Sequence, residues 1–307
     1  MRTVGAGARG RYTRWIAAAV VAALLVGAGC SQLEEKEREL TFRVVPGTAS
    51  WYDGLPPGVQ ESDLSLDVGG KPEHIHAWWW PAEAQDAPAV LYLHGSRWNL
   101  TGQAFRIEEL HDFGFSVLAI DYRGFGKSDG KLPSERTVYE DARVAWRRLV
   151  ELEPDASRRF IYGHSLGGAV AIDLAAWLSE QARADDTVVP AHGLIVESSF
   201  TTLADIAEAV TSPWLPVRLL LSQKFDSLAK IRELRMPVLI VHGGNDSYVP
   251  SRFSEQLYAA APEPKKLLLV EGATHNNCMR VGTAEYREAI QELFGVGAAA
   301  PGRHAKS

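Results

Sequence analysis

Residues 163–167 read Gly-His-Ser-Leu-Gly, and the segments on either side make this pentapeptide the strongest constraint on the fold. Upstream, Phe160-Ile161-Tyr162 is a β-rich apolar run. Downstream, residues 168–178 are small and helix-forming. A serine between them sits where a strand turns abruptly into a helix. That bend lifts its hydroxyl above the sheet edge, and the flanking glycines leave room for it. Ser165 is therefore expected to be a nucleophile rather than a structural turn serine.

A serine hydroxyl is a weak nucleophile at neutral pH and needs a histidine to take its proton and return it to the leaving group. A carboxylate must fix that histidine's tautomer. On a strand–helix plan the order along the chain is nucleophile, acid, histidine. Residues 237–242 form a short apolar strand run ending in Gly243-Gly244-Asn245-Asp246, and residues 266–270 form another, leading into Glu271-Gly272-Ala273-Thr274-His275. Asp246 and His275 thus lie past strand carboxyl ends, where ligand sites collect in open α/β sheets. Glu197, at the end of an earlier strand run, is the alternative acid. The oxyanion needs donors already aimed at it. The backbone N–H of Leu166 is one candidate. The loop after the strand run 89–93, His94-Gly95-Ser96-Arg97, supplies the other through Ser96, with Arg97 as alternative.

These segments, together with Asp121-Tyr122-Arg123-Gly124-Phe125-Gly126-Lys127-Ser128, resemble the α/β-hydrolase-fold serine hydrolases over roughly residues 60–295. The resemblance implies a mostly parallel central sheet, helices on both faces, a short lid insertion and acyl-enzyme chemistry without cofactor or metal. The stretches 197–203 and 225–231 are similar to a small-lid branch that includes membrane-associated palmitoyl-protein thioesterases and bacterial esterases. That branch commonly has Asn-Asp after its histidine, whereas this chain has Asn276-Asn277.

The alternation of strand and helix from about residue 88 independently points to a parallel α/β sheet. Helices are expected at about 102–112, 134–152, 166–182, 251–260 and 283–294, with Ser134 as an N-cap, and antiparallel strands within 40–80. The domain reads as 40–295, its lid at about 199–230, with Trp214 and Leu219 as candidate substrate contacts. The Gly/Ala/Pro-rich tail, 296–307, is expected to be disordered.

The amino terminus carries Arg2, Arg9, Arg11 and Arg14 before an apolar run at 15–28. That run is shorter than the roughly 20 residues a spanning helix needs, and suits a secretory signal. It ends in Val26-Gly27-Ala28-Gly29-Cys30-Ser31, which resembles a bacterial lipoprotein signal with Cys30 as the acylated residue, although Gly27 stands where leucine is usual. An ordinary cleaved signal and an uncleaved anchor are the alternatives. The expected product is anchored in the cell envelope, at the outer membrane facing the periplasm, with 30–39 as a charged tether. Removing residues 1–29 takes away four arginines and no acid, leaving 28 basic and 38 acidic residues and a net charge of −10. An acidic body argues against nucleic-acid binding and against a basic patch for anionic lipid.

The remaining signals have structural readings. His74 and His76 share a strand face without a third metal-ligand cluster. Trp78-Trp79-Trp80 alternates across a strand. Asp121 is expected to hydrogen-bond structurally, Cys278 to be a buried thiol, and His94, His164 and His242 to orient neighbours. The function expected is hydrolysis of carboxylic esters or thioesters. The alternatives are a peptidase or acyltransferase using the same triad, or a non-catalytic lipoprotein of this fold.

Overall fold

The structure, a computed structural model, describes residues 31–211 and 216–296. A helix over 31–42 (α1) precedes β1 (Gln60–Val68), β2 (Lys71–Trp80), β3 (Ala89–Leu93), α2 (Leu100–Asp112), β4 (Ser116–Ile120) and α3 (Glu135–Leu152). Then come β5 (Arg159–His164), α4 (Leu166–Ala184), β6 (Gly193–Glu197), α5 (Leu203–Val210), α6 (Val217–Leu220) and α7 (Ser227–Lys230). The chain continues through β7 (Val238–Gly243), α8 (Arg252–Ala260), β8 (Lys265–Val270), α9 (Cys278–Val281) and α10 (Thr283–Phe294).

The strands form one eight-stranded sheet in the order β1-β2-β4-β3-β5-β6-β7-β8. Strands β3 to β8 run parallel, while β1 pairs β2 and β2 pairs β4 antiparallel. Period-two alternation divides the core between the two faces. Leu91, Ile161 and Ile240 pack toward α3, α4 and α8. Tyr92, Tyr162 and Leu239 pack toward α2 and α10. This is the mostly parallel, helix-flanked sheet of an α/β-hydrolase fold, as the strand–helix alternation predicted. The three tryptophans of β2 obey the same alternation: Trp78 and Trp80 pack on the α2 side and Trp79 on the other.

Local chemistry sets the helix ends. Ser134 and Thr137 form a reciprocal capping box at the start of α3. Helix α2 begins two residues earlier than expected, because Asn99 accepts from Thr101 N–H and Asp121 Oδ1 accepts from Leu100 N–H at 2.8 Å. Asp121 thus has the structural role assigned to it. One expectation is corrected. Residues 31–39 are helical and docked rather than a bare tether: Glu37 is buried and accepts hydrogen bonds from Ser222 N–H, Ser222 Oγ and Gln223 N–H. Among the described residues no helix is long and apolar enough to cross a membrane. The expectations for the signal, for Cys30 and for the tail beyond residue 296 lie outside the described residues.

Candidate active site

Ser165 stands between β5 and α4 with φ 55° and ψ −120°, a positive φ that side-chain-bearing residues rarely adopt. The bend is held from three sides. Ser165 N–H donates to Glu197 O at 2.9 Å, Gly168 N–H donates to Ser165 O at 2.9 Å, and Ser199 Oγ donates to the same carbonyl at 2.9 Å. Gly167 explains the last residue of the pentapeptide. A Cβ there would collide with the backbone carbonyls of Leu93 and His94, so helix α4 could not start against the end of β3.

Asp246 follows β7 and its side chain is almost fully buried. Oδ1 accepts from Tyr248 N–H at 2.8 Å and from Val249 N–H at 2.9 Å. Oδ2 accepts from His275 Nδ1 at 2.7 Å and lies 3.2 Å from His242 Nε2. Burial by itself would raise this carboxyl's pKa. Hydrogen bonds from His242 and His275, and from the backbone at Val249, outweigh burial and hold it well below the usual carboxylate range. His242 is itself fixed, with Nε2–H donating to Val249 O at 2.9 Å and Nδ1 accepting from Ser254 Oγ at 2.6 Å.

His275 follows β8. Its Nδ1–H is committed to Asp246, so the other ring nitrogen is the one open to chemistry. The backbone of this loop is tied to the elbow: His164 Nε2–H donates to His275 O at 2.8 Å, and the two rings lie 4.7 Å apart. Burial, then the nearby Arg106 and His275, push the His164 pKa well below its ordinary value, which favours the neutral ring. Asn277 stands where the Asn-Asp pattern has its carboxylate. Its Oδ1 accepts from Thr274 N–H at 2.7 Å and Thr274 Oγ1 at 3.1 Å, so an amide oxygen closes the turn.

Of the two alternative oxyanion donors, Arg97 N–H is already used by Phe42 O at 2.8 Å. Ser96 N–H has no acceptor among the described residues, and Leu166 N–H opens helix α4, where first-turn N–H groups have no intrahelical partner. The loop lies against the elbow: a Cβ on Gly95 would sit 3.2 Å from Ser165 Cβ.

Glu197, the alternative acid, is fully buried in different company. Arg106 donates to Oε1 at 2.6 Å and Tyr286 to Oε2 at 3.1 Å. His76 is held by Glu61 Oε1 at 2.9 Å and lies 3.5 Å from Asp121. Cys278 is fully buried, its thiol pKa pushed up by burial, and its Sγ lies 3.6 Å from Thr274 O. Trp214 lies outside the described residues. Leu219 is described and is 86% exposed, so it does not line a closed pocket. Sequence reasoning missed Ser254 behind His242, Ser199 on the elbow carbonyl, and the segment 42–49 alongside the oxyanion loop. Ser254 and the segment 42–49 carry no local motif, and the stretch 197–203 does not by itself reveal what Ser199 bonds.

An elbow serine, a carboxylate-bound histidine and a Ser96 N–H with no acceptor among the described residues thus collect at one edge of the sheet. Residues 84–230 match the family described as serine aminopeptidase, S33. The uncharacterized protein Rv2307c of Mycobacterium tuberculosis is 35% identical over 264 residues, spanning 84% of this chain and 87% of that protein. The chain belongs to the α/β-hydrolase-fold serine hydrolases. It is also similar to the lysophosphatidylserine lipase ABHD12 of Danio rerio, 28% identical and covering 84% of this chain and 74% of that one. Among solved structures, an alpha-beta hydrolase from Vibrio vulnificus aligns with TM-score 0.64 at 20% identity, covering 88% of this chain and 94% of that one. The Pyrococcus furiosus esterase Pf2001 aligns with TM-score 0.61 at 20% identity, covering 83% and 98%. At these identities the structural likeness speaks for the fold.

Proposed function

We propose that this protein is an esterase or thioesterase in which Ser165 is the nucleophile, His275 the general base and acid, and Asp246 the carboxylate that holds His275. Ser165 Oγ attacks the acyl carbonyl carbon as its proton passes to His275 Nε2. The tetrahedral oxyanion is met by the N–H groups of Ser96 and Leu166. The bond to the leaving oxygen or sulfur then breaks as His275 returns the proton to it. Water, deprotonated by His275, cleaves the acyl-enzyme and restores the serine. The observation that carries this reading is the 2.7 Å hydrogen bond from His275 Nδ1 to buried Asp246, which leaves Nε2 for a serine presented at the same edge.

A lipid-like acyl ester as substrate is supported by the likeness to a lysophospholipid lipase and by the apolar, proline-broken stretch 211–221, read as part of a small lid spanning about 199–230. Export and anchoring through lipid on Cys30 belong to the same proposal, supported by the apolar run 15–28 before Cys30-Ser31. Loss of radiolabelled palmitate incorporation in Cys30→Ser tests that part. A peptidase is the second reading, favoured by the description of the matched family. An aminoacyl amide tested beside acyl esters separates the two.

The central test is intact-mass spectrometry after incubation with a fluorophosphonate. One adduct on the wild type, absent from a folded Ser165→Ala protein that also lacks turnover, is the expected result. Near-wild-type turnover by Ser165→Ala would remove the assignment.

A further inference from the structure

The chain segment after α1 runs alongside the loop that carries Ser96. Arg97 N–H donates to Phe42 O at 2.8 Å and Val45 N–H donates to Arg97 O at 2.8 Å. Farther on, Asn99 Nδ2 donates to Gly47 O at 2.7 Å and Ala49 N–H donates to Thr101 Oγ1 at 3.0 Å. Trp51 meets Trp98 edge to face at 4.7 Å. Residues 42–49 thus fasten the loop from Arg97 to the first turn of α2.

The fastening falls where the loop is least comfortable. Arg97 has φ 84°, a left-handed conformation that is uncommon for a residue with a side chain. Such a conformation persists when its surroundings over-determine it, and here both the N–H and the C=O of Arg97 are held from outside the loop. The strap has its own supports. Pro46 biases Val45 toward extended backbone, which suits its pairing with Arg97. Phe42 is fully buried, edge to face with Phe125 at 6.5 Å and Phe225 at 6.1 Å. Upstream, Arg38 donates to the carbonyls of Pro133 and Leu132, and Glu37 binds Ser222 and Gln223.

We propose that residues 42–49 are a strap that orients the oxyanion loop, making Phe42 and Val45 positioning residues for the Ser96 N–H through their hydrogen bonds to Arg97. The proposal rests on the serine-hydrolase reading above. It assigns a catalytic contribution to a stretch with no catalytic side chain, contributed by backbone groups alone.

The test uses the full chain in detergent with Val45→Pro, which removes the N–H while suiting extended backbone, beside Val45→Ala, which keeps it. Active serines are counted with a fluorophosphonate, so every rate is per competent site. Affinity for an alkylboronic acid is measured in parallel. Its boron accepts Ser165 Oγ as the hydroxyl proton passes to His275, giving a tetrahedral adduct that needs the oxyanion donors. For Val45→Pro we expect kcat per site to fall about 10–100-fold, boronate affinity to fall by a similar factor, and KM to stay within about 3-fold. Val45→Ala should match the wild type. A purely structural role would lower the number of titrated sites and leave the per-site constants unmoved, and that result overturns the proposal. Equal losses in Val45→Ala also overturn it, since the N–H would then be irrelevant. If Val45→Pro does not fold, Thr101→Val removes the acceptor at the other end of the strap, with an expected fall in per-site kcat and boronate affinity of about 3–10-fold; unchanged constants again overturn it. A wild type that takes no adduct overturns the hydrolase reading itself, and the strap with it.

Discussion

Asp246 and Glu197 are two buried carboxylates at the carboxyl ends of adjacent strands, and they are put to different uses. Glu197 faces Arg106, a fixed cation, and the hydroxyl of Tyr286. Its main-chain carbonyl receives the elbow N–H of Ser165, so this corner serves as foundation. Asp246 faces two imidazoles and two backbone N–H groups. An arginine stays charged throughout any reaction, whereas an imidazole gains and loses a proton. A carboxylate bound to a permanent cation has little left to offer a developing imidazolium; one bound to an imidazole that can take up the proton does. Burial alone therefore does not distinguish a catalytic acid from a structural one. The partner does.

The largest expected effect that sharpens this contrast is on rate. Asp246→Asn should lower kcat by about four orders of magnitude, because an amide stabilises the wrong histidine tautomer. Glu197→Gln should leave kcat per titrated site within about 10-fold while costing about 3–5 kcal/mol of stability, because Arg106 is left as an uncompensated buried charge. Urea unfolding beside active-site titration measures both. If Glu197→Gln suffers the larger loss of rate, the two roles are exchanged.

Smaller effects lie in pH dependence. Asp246 has a depressed pKa in the folded state, so its stabilising contribution is present above the ordinary carboxylate range and is lost as pH falls through about 4 toward the folded value. The stability gap between wild type and Asp246→Asn should therefore close on acidification from pH 5, by up to about 1.4 kcal/mol per pH unit. His164 is depressed as well. Its unfolded form takes up a proton below about pH 6.5 and its folded form resists, so the wild type should lose stability as pH falls from 6.5 to 5. His164→Gln keeps an N–H donor for the His275 carbonyl without that titration. It should flatten this limb and retain most of the activity.

What could be read from sequence was local. The Gly-His-Ser-Leu-Gly turn, the strand runs ending at Asp246 and His275, and the capped start of α3 each announce themselves within a few residues, and helix limits fell within about two residues because caps and apolar periodicity are short-range signals. Ser96 was the sequence's choice with Arg97 as the alternative; that Arg97 N–H is taken by Phe42 O was not legible, because Phe42 is far away in the chain. The tether reading of 31–39 failed for the same reason. Six of those nine residues are charged, as in a solvated linker, yet Glu37 is buried by groups 185 and 186 positions away. That β2 pairs with β4 rather than with β3, its neighbour in the chain, is likewise a tertiary fact.

The backbone at Ser165 carries a last consequence. With φ 55° and ψ −120°, this residue occupies a region that glycine visits readily and serine does not. The fold would be better served by the residue that ends the chemistry. Ser165→Gly should be inactive and more stable than the wild type by about 1–3 kcal/mol, the usual size of such backbone strain. Thermal unfolding of the two proteins reads this directly. On the proposed assignment, keeping a working hydroxyl holds the chain below the stability its own topology permits, and that prediction puts a more robust, silent protein one substitution away from the centre of the site.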